Sequence, residues 1–168
     1  MKTLYVARHA ISDWSDPSLF DEERKVTKEG IKSAKAMGDY LKDQNVSPDI
    51  ILTSCAIRAQ DTALELAETL RYQGTIHYLK ELYLTPLQRL KETLSLQSCE
   101  YDNLLLIGHN SQLTELINDI TEENIEKIPA MGIMAIKLDI NEWTQLQDTK
   151  GIPEFFIAPQ DIQASMAV

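Results

Sequence analysis

The sequence predicts an α/β fold, a three-layer α/β/α sandwich with a mostly parallel central sheet. Short apolar runs with polar flanks, which suit buried strands, alternate along the chain with longer segments of helical periodicity. No internal repeat, low-complexity tract or Pro/Gly-rich linker interrupts this alternation. Because 168 residues is an ordinary size for one domain, we expect a single domain over residues 1–168.

The strands are predicted from the apolar runs. Three early runs are each four residues long and flanked by polar residues, and two further runs follow them in the chain. The five predicted strands are Leu4–Ala7, Ile50–Thr53, Leu104–Ile107, Ile133–Leu138 and Phe155–Ala158.

Four amphipathic helices are predicted around these strands, because apolar residues recur there mostly at intervals of three and four. Thr27 is available as the N-cap of the first helix, and Pro86 suits the first turn of the third. The apolar positions are Ile31, Ala34, Gly38 and Leu41, then Ala59, Ala63, Leu66, Ala67 and Leu70, then Leu87, Leu90 and Leu94, and finally Leu113, Leu116, Ile117 and Ile120.

Composition and charge exclude several classes of protein. The chain is 43% hydrophobic and 25% charged, which is typical of a globular protein. No window approaches the ~20 apolar residues of a membrane span, and the N-terminal residues lack a signal-peptide pattern. The net charge of −10 opposes binding to nucleic acid or to an anionic membrane. We therefore expect a cytoplasmic monomer that binds neither nucleic acid nor membranes.

The two cysteines, Cys55 and Cys99, form no CxxC pair and match no zinc spacing. We expect them to be unpaired residues in or near the core.

Arginine and histidine residues follow three predicted strands. Arg8 and His9 come directly after the first strand, and Arg58 lies in the first turns of the helix after the second. His109 follows the Leu104–Ile107 strand. Because ligands bind at the carboxyl ends of strands in open α/β sheets, we expect these four side chains to meet at one site.

The combination of arginine and histidine favours an anion site. Arginine offers a planar fork of donors that matches phosphate oxygens, and histidine can act as a nucleophile or a proton carrier. A metal site is the competing interpretation of the histidines, but two neighbouring arginines disfavour a bound cation. We expect no metal and no cofactor.

Four segments resemble the motifs of the histidine phosphatase superfamily, also called phosphoglycerate mutase-like. They are the Arg-His motif of Thr3–Ala10, the Thr-x-x-Gly stretch of Val26–Gly30, the Ser-x-x-x-Arg-Ala-x-x-Thr motif of Ser54–Thr62, and the second histidine motif of Leu105–Asn110. Arg8–Trp14, Asp21–Arg24, Ile157–Ile162 and the short chain are most similar to the SixA-type phosphohistidine phosphatases.

This resemblance implies a phosphoglycerate mutase-like fold and a role for each candidate residue. His9 would be the nucleophile, and Arg8, Arg58 and His109 would clamp the phosphoryl oxygens. Glu81 lies about where relatives carry a catalytic acid. Arg24 and Ser12 are predicted to bind the substrate. Arg24 could equally be a surface residue that pairs with Asp21. His77 is interpreted as structural.

The expected activity is a phosphatase that works through a covalent phosphohistidine on His9. The expected substrate is phosphohistidine on a protein. The nearest alternative is a small-molecule phosphomonoesterase that uses the same site. A mutase is disfavoured, because the chain lacks the length for insertions that usually enclose a phosphorylated cofactor. A non-catalytic module that binds phosphoproteins is the alternative from another class, but such a module needs no nucleophile.

Overall fold

The computed structural model describes the backbone of residues 1–166 and the side chains of residues 1–163. The last two residues of the predicted domain lie outside the described residues. The described chain contains a six-stranded sheet of β1 (Lys2–Arg8), β2 (Ile50–Ser54), β3 (Ile76–Leu79), β4 (Asn103–Gly108), β5 (Ile133–Leu138) and β6 (Ile152–Ile157). The strand order is β3-β2-β4-β1-β5-β6. The first four strands in that order are mutually parallel, and β5 and β6 are antiparallel to their neighbours.

Five α-helices lie between and after these strands in residues 1–166. They are α1 (Lys28–Asp43), α2 (Ile57–Thr69), α3 (Leu87–Ser95), α4 (Gln112–Ile120) and α5 (Pro159–Met166). Short 3₁₀ helices occupy Asp21–Glu23, Lys80–Leu82 and Trp143–Gln147. Over the same residues, we find no helix with both the length and the apolar character that a bilayer crossing requires.

The helices cover both faces of the sheet, because successive residues of a strand point to opposite sides. Leu104 and Leu106 of β4 pack in one core with residues of α3 and α4. Leu105 and Ile107, the alternate residues, pack in a second core with residues of α1 and α2. The predicted three-layer sandwich with a mostly parallel sheet is therefore confirmed.

The predicted helix N-termini are correct to within one residue. The Thr27 side chain caps α1 by accepting a hydrogen bond from the Gly30 backbone N–H at 2.9 Å. Pro86 does not lie in the first turn of α3 as predicted. It is the N-cap residue, and its extended ψ of 150° places it just outside the helix.

The sequence patterns failed at the edges of the sheet. β3 was not predicted, because its residues are half-buried or exposed and give no continuous apolar run. β6 begins three residues earlier than predicted, and its alternating exposure and Pro153 are typical of an edge strand. The short α5 was also missed. Both cysteines are unpaired, but Cys99 is exposed, so its expected place in or near the core is wrong.

Candidate active site

The carboxyl ends of three neighbouring parallel strands bring the candidate residues together. β1 lies beside β4, and β4 lies beside β2, so their ends share one edge of the sheet. The His9 backbone N–H donates to the Gly108 carbonyl at 3.1 Å, which joins the loops after β1 and β4. The ring centroids of His9 and His109 are 5.1 Å apart. The convergence expected from the sequence is therefore present for these two histidines.

His9 is buried, and its hydrogen bonds define its tautomer. Nδ1 lies 2.7 Å from the Ala10 carbonyl oxygen, which can only accept, so Nδ1 carries the proton. Nε2 therefore holds a lone pair, and Arg58 Nε donates to it at 3.3 Å. Burial, reinforced by the charges of Arg58 and Arg8, lowers the pKa of His9 to about 4. His9 is consequently a neutral imidazole near pH 7, with the lone pair of Nε2 facing Arg58.

His109 has the opposite tautomer to His9, with its proton on Nε2. Arg58 Nη2 lies 3.4 Å from His109 Nδ1 and can only donate, so Nδ1 is the acceptor. The proton then resides on Nε2, which lies 2.6 Å from Ser54 Oγ. Burial and the neighbouring His9 and Arg58 lower the pKa of His109 to about 3. Ser54 begins the Ser-x-x-x-Arg-Ala-x-x-Thr motif but was not predicted as a site residue. Its contact with Nε2 orients the His109 ring.

Arg58 is the centre of the cluster. Its side chain is 7% exposed, and its three guanidinium nitrogens contact His9, His109 and Asp21. Thr62 fixes the start of α2, because its hydroxyl donates to the Arg58 carbonyl at 2.7 Å and accepts from the Ala10 N–H at 3.0 Å. That bridge ties the helix carrying Arg58 to the loop carrying His9.

Arg8 lies at the end of β1 and lines a cavity of about 570 Å³ beside the N-terminus of α4. Its Nη1 donates to the Ile128 carbonyl at 2.9 Å. Its Nε is buried and has no hydrogen-bond partner in the described part of the chain. Burial and the charge of Arg58 lower the pKa of Arg8. Arg8 Nε is thus a donor that no residue in the described part of the chain uses.

Two residues that the sequence did not single out complete the site. The Asp21 carboxylate accepts from Arg58 Nη2 at 2.9 Å and from the Tyr83 hydroxyl at 2.6 Å. Partial burial opposes ionisation of Asp21, but the hydrogen bonds from Tyr83 and Arg58 outweigh it and lower its pKa. Burial and the adjacent Asp21 raise the pKa of Tyr83 to about 12. The ring of Tyr83 also meets His109 edge-on, with centroids 5.5 Å apart.

Glu81 does not join this cluster. It is exposed and lines a different cavity, of about 290 Å³, with Leu79, Arg89 and residues of α3. It has no hydrogen bond or ion pair with any residue in 1–163. Tyr83, two residues later, lies nearer the histidines, since its hydroxyl donates to Asp21 and its ring meets that of His109.

Arg24 and Ser12 contact the loop before the site and not the histidines. Arg24 is buried, stacks on Trp14 and donates to three backbone carbonyls, those of Asp13, Asp16 and Leu19. The alternative prediction for Arg24, a surface residue paired with Asp21, is wrong, because Arg24 is buried and Asp21 pairs with Arg58. Ser12 Oγ accepts from the Trp14 indole N–H at 3.1 Å.

His77 lies apart from the site as expected. It is exposed on the edge strand β3. Within the described residues, no group of three or more histidine, cysteine or acidic side chains is arranged to hold a metal ion.

The two buried neutral histidines predict a loss of stability in mild acid. Their pKa values in the folded state, about 4 and about 3, lie below the value of ~6.5 for an unfolded chain. Between these values the unfolded chain binds more protons, so the free energy of unfolding falls as pH decreases from 6.5. At pH 5 the cost is on the order of 2 kcal/mol for each histidine.

Guanidinium unfolding at pH 7 and pH 5 measures this effect. We expect the wild-type free energy of unfolding to drop more than that of His109→Gln, which removes one titrating group. His77→Gln is the matched control and should drop as much as the wild type, because His77 is exposed. Equal drops in all three proteins would contradict the assignment.

Comparison with known sequences identifies a family. The sequence profile of the histidine phosphatase superfamily (branch 1) matches residues 4–91, which include Arg8, His9 and Arg58. A 2,3-bisphosphoglycerate-dependent phosphoglycerate mutase of Rhizobium meliloti is 45% identical over 62 residues, which cover 36% of this chain and 29% of the mutase. A mutase of Clavibacter michiganensis is 34% identical over 64 residues, covering 37% of this chain and 26% of the mutase. The match thus spans about a quarter of these curated relatives.

Solved structures extend the likeness of fold to nearly the whole chain. The protein histidine phosphatase SixA, solved with tungstate, is 20% identical and superposes with a TM-score of 0.82, covering 95% of this chain and 99% of that one. A proposed SixA of Agrobacterium tumefaciens is 24% identical with a TM-score of 0.79, covering 94% and 98%. At these identities the likeness is one of fold.

Proposed function

Because this chain belongs to the histidine phosphatase superfamily (branch 1), we propose that it is a phosphatase with His9 as its nucleophile. The observation that carries the proposal is the state of the His9 ring. Nδ1–H donates to the Ala10 carbonyl, so the lone pair on Nε2 points to Arg58, where a bound phosphoryl group would be held. Because the pKa of His9 is about 4, Nε2 stays unprotonated at neutral pH.

The proposed reaction has two displacements at phosphorus. In the first, the Nε2 lone pair of His9 forms the P–N bond while the bond to the leaving group breaks, and the leaving group takes that electron pair. In the second, water attacks phosphorus, the P–Nε2 bond breaks, and inorganic phosphate departs with His9 regenerated. Arg8 and Arg58 would stabilise the charge on the equatorial oxygens. His109 would join them only after the bound phosphoryl dianion raises its pKa and Nδ1 takes up a proton.

The hydrogen bond between the Asp21 carboxylate and Arg58 must break before Arg58 can bind a phosphoryl group. Its carboxylate accepts from the same guanidinium nitrogen that reaches His109, so a phosphoryl oxygen would compete with it there. Both are anions that accept from Arg58, and a bound phosphoryl dianion would add the contacts of Arg8. We propose that substrate binding exchanges the Asp21 ion pair for a phosphate one.

The site favours a substrate with a labile bond. The Asp21 pKa is lowered, so Asp21 is a poor proton donor, and Tyr83, with a pKa near 12, is a weak acid. An imidazole leaving group, whose conjugate acid has a pKa of ~6.5, departs with far less help than an alkoxide. We therefore propose phosphohistidine on a protein as the preferred substrate. The rival is a small-molecule monoester, for which the 570 Å³ cavity beside Arg8 offers room.

A panel of leaving groups tests this preference. Peptides with phosphohistidine, phosphoserine or phosphotyrosine are compared with an aryl phosphate by release of inorganic phosphate. We expect kcat/KM for phosphohistidine to exceed that for phosphoserine by at least about 100-fold, since general acid assistance is worth ~10²–10⁴-fold and the site lacks a strong donor.

Glu81→Gln belongs in the same panel. Because Glu81 is exposed and away from the histidines, we expect this variant to match the wild type on every substrate. A selective loss on phosphoserine would restore Glu81 as the acid. Equal wild-type rates on all peptides would support the phosphomonoesterase alternative.

Metal independence is a further prediction. Two arginines next to His9 and His109 supply positive charge at the phosphoryl position, a role that Mg²⁺ has in many other phosphoryl-transfer sites. We expect full activity after treatment with EDTA. Loss of activity on chelation that Zn²⁺ or Mg²⁺ restores would revive the metal interpretation of the histidines. The monomeric state and the cytoplasmic location remain predictions from the sequence.

A further inference from the structure

An apolar patch stands exposed beside the candidate active site. Three residues of the loop between β1 and α1 form it: Phe20 is 74% exposed, Trp14 66% and Leu19 36%. We call these three residues the rim patch. Large aromatic side chains at such exposure are typical of surfaces that become buried in a complex, because aromatic residues dominate the energy of protein interfaces.

The loop is braced, so the patch is presented in a defined position. The Arg24 guanidinium stacks 4.0 Å from the Trp14 ring centroid and donates to the Leu19 carbonyl at 3.3 Å. One buried guanidinium therefore contacts two of the three patch residues, Trp14 and Leu19. The Trp14 indole is also held by Ser12, and the Phe20 N–H donates to Glu23 Oε2 at 2.9 Å. A fixed apolar surface loses less conformational entropy on binding than a mobile one.

The patch is continuous with the site through the backbone. Phe20 directly precedes Asp21, whose carbonyl and carboxylate both accept from Arg58. A small phosphorylated metabolite held at Arg58 and His9 would leave these outward-facing side chains in solvent. A substrate that reaches them must extend well beyond its phosphorylated group.

The acidic residues around the rim patch indicate the charge of the partner that it would bind. Asp13, Asp16, Glu22 and Glu23 flank it and are all exposed, and the whole chain carries a net charge of −10. An anionic membrane surface or a second copy of this chain would be repelled. A protein surface with apolar side chains and nearby lysine or arginine would be attracted.

We propose that the rim patch is the docking surface for a phosphoprotein substrate, which contributes apolar side chains ringed by basic ones next to its phosphorylated histidine. This rests on the proposed function, because the substrate is the one that His9 dephosphorylates. The patch would raise affinity for the protein substrate without touching the phosphoryl group.

Three probes with the same P–N bond test the proposal. The first is a peptide whose phosphohistidine, made with phosphoramidate, is flanked by leucine and lysine. The second has serine in place of leucine, and the third is free phosphohistidine. For the wild type we expect kcat/KM on the leucine peptide to exceed that on the serine peptide about tenfold, the effect of one good interface anchor.

Phe20→Ala should abolish that preference, mainly through KM, and leave the rate on free phosphohistidine unchanged. Leu96→Ala is the matched control, since Leu96 is 84% exposed at the end of α3 and away from the loop. It should behave as the wild type on all three probes.

Four results would overturn the docking surface. They are equal wild-type rates on the two peptides, an unchanged preference in Phe20→Ala, an equal loss on free phosphohistidine, and a wild-type dimer that Phe20→Ala converts to a monomer in sedimentation. The failure of the proposed function looks different, because the wild type would then release no phosphate even from free phosphohistidine, and both proposals would fall.

Discussion

Replacement of His9 by alanine is expected to lower kcat by at least about 10⁴-fold, because an activated nucleophile is one residue whose role no neighbour can take. His109 cannot substitute, since its Nε2 proton faces Ser54 and its Nδ1 faces Arg58. Binding of inorganic phosphate should survive, because Arg8, Arg58 and His109 remain. Initial rates and phosphate titration by calorimetry measure the two effects.

The matched control is His77→Ala, which removes an exposed histidine from the edge strand and should leave kcat unchanged. A second readout follows the intermediate directly. Wild-type protein incubated with ³²P-labelled substrate and quenched in alkaline detergent should carry an alkali-stable, acid-labile label on His9, and the alanine variant should carry none. A folded His9→Ala protein with near-normal turnover would refute the mechanism.

Arg58→Lys is expected to lower kcat/KM by about 100-fold although the charge is kept, the usual cost of losing one donor to a developing oxyanion. The Arg58 guanidinium donates from Nε to His9, from Nη2 to both His109 and the Asp21 carboxylate, and from Nη1 to the Asp21 carbonyl. A single ammonium group cannot contact all three in one geometry. The loss should appear in both kcat and KM, because the clamp holds the ground state and the transition state.

Arg71→Lys is the control for this change. Arg71 lies exposed just after α2, and its side chain has no hydrogen bond or ion pair with any residue in 1–163. Its kinetics should equal those of the wild type. Equal kinetics for Arg58→Lys and Arg71→Lys would show that Arg58 does not contact the phosphoryl group.

The sequence alone was sufficient to predict the strands that carry a local pattern of apolar residues. The buried strands β1, β2, β4 and β5 were located from apolar runs, since burial on both faces makes most residues of each run apolar. The edge strands β3 and β6 carry half-exposed residues and gave a weak signal or none. The family resemblance read from the Arg-His and Ser-x-x-x-Arg motifs is confirmed by the match over residues 4–91.

The sequence predicted the candidate residues of the site, and the tertiary structure determined the partners of their side chains. Arg8, His9, Arg58 and His109 could be predicted to lie together because parallel strands end at one edge of a sheet. Arg8 is the last residue of β1, His9 and His109 each follow a strand, and Arg58 lies in the first turn of α2. Asp21 begins one short 3₁₀ helix and Tyr83 follows another, and the contact that joins them links residues 62 positions apart. Glu81 was chosen by its position along the chain, but a rotation of two residues in a short 3₁₀ turn directs Tyr83 inward and leaves Glu81 in solvent. The tautomer of His109 likewise depends on contacts with Ser54 and Arg58, which lie more than 50 positions away, whereas that of His9 is set by the adjacent Ala10 carbonyl.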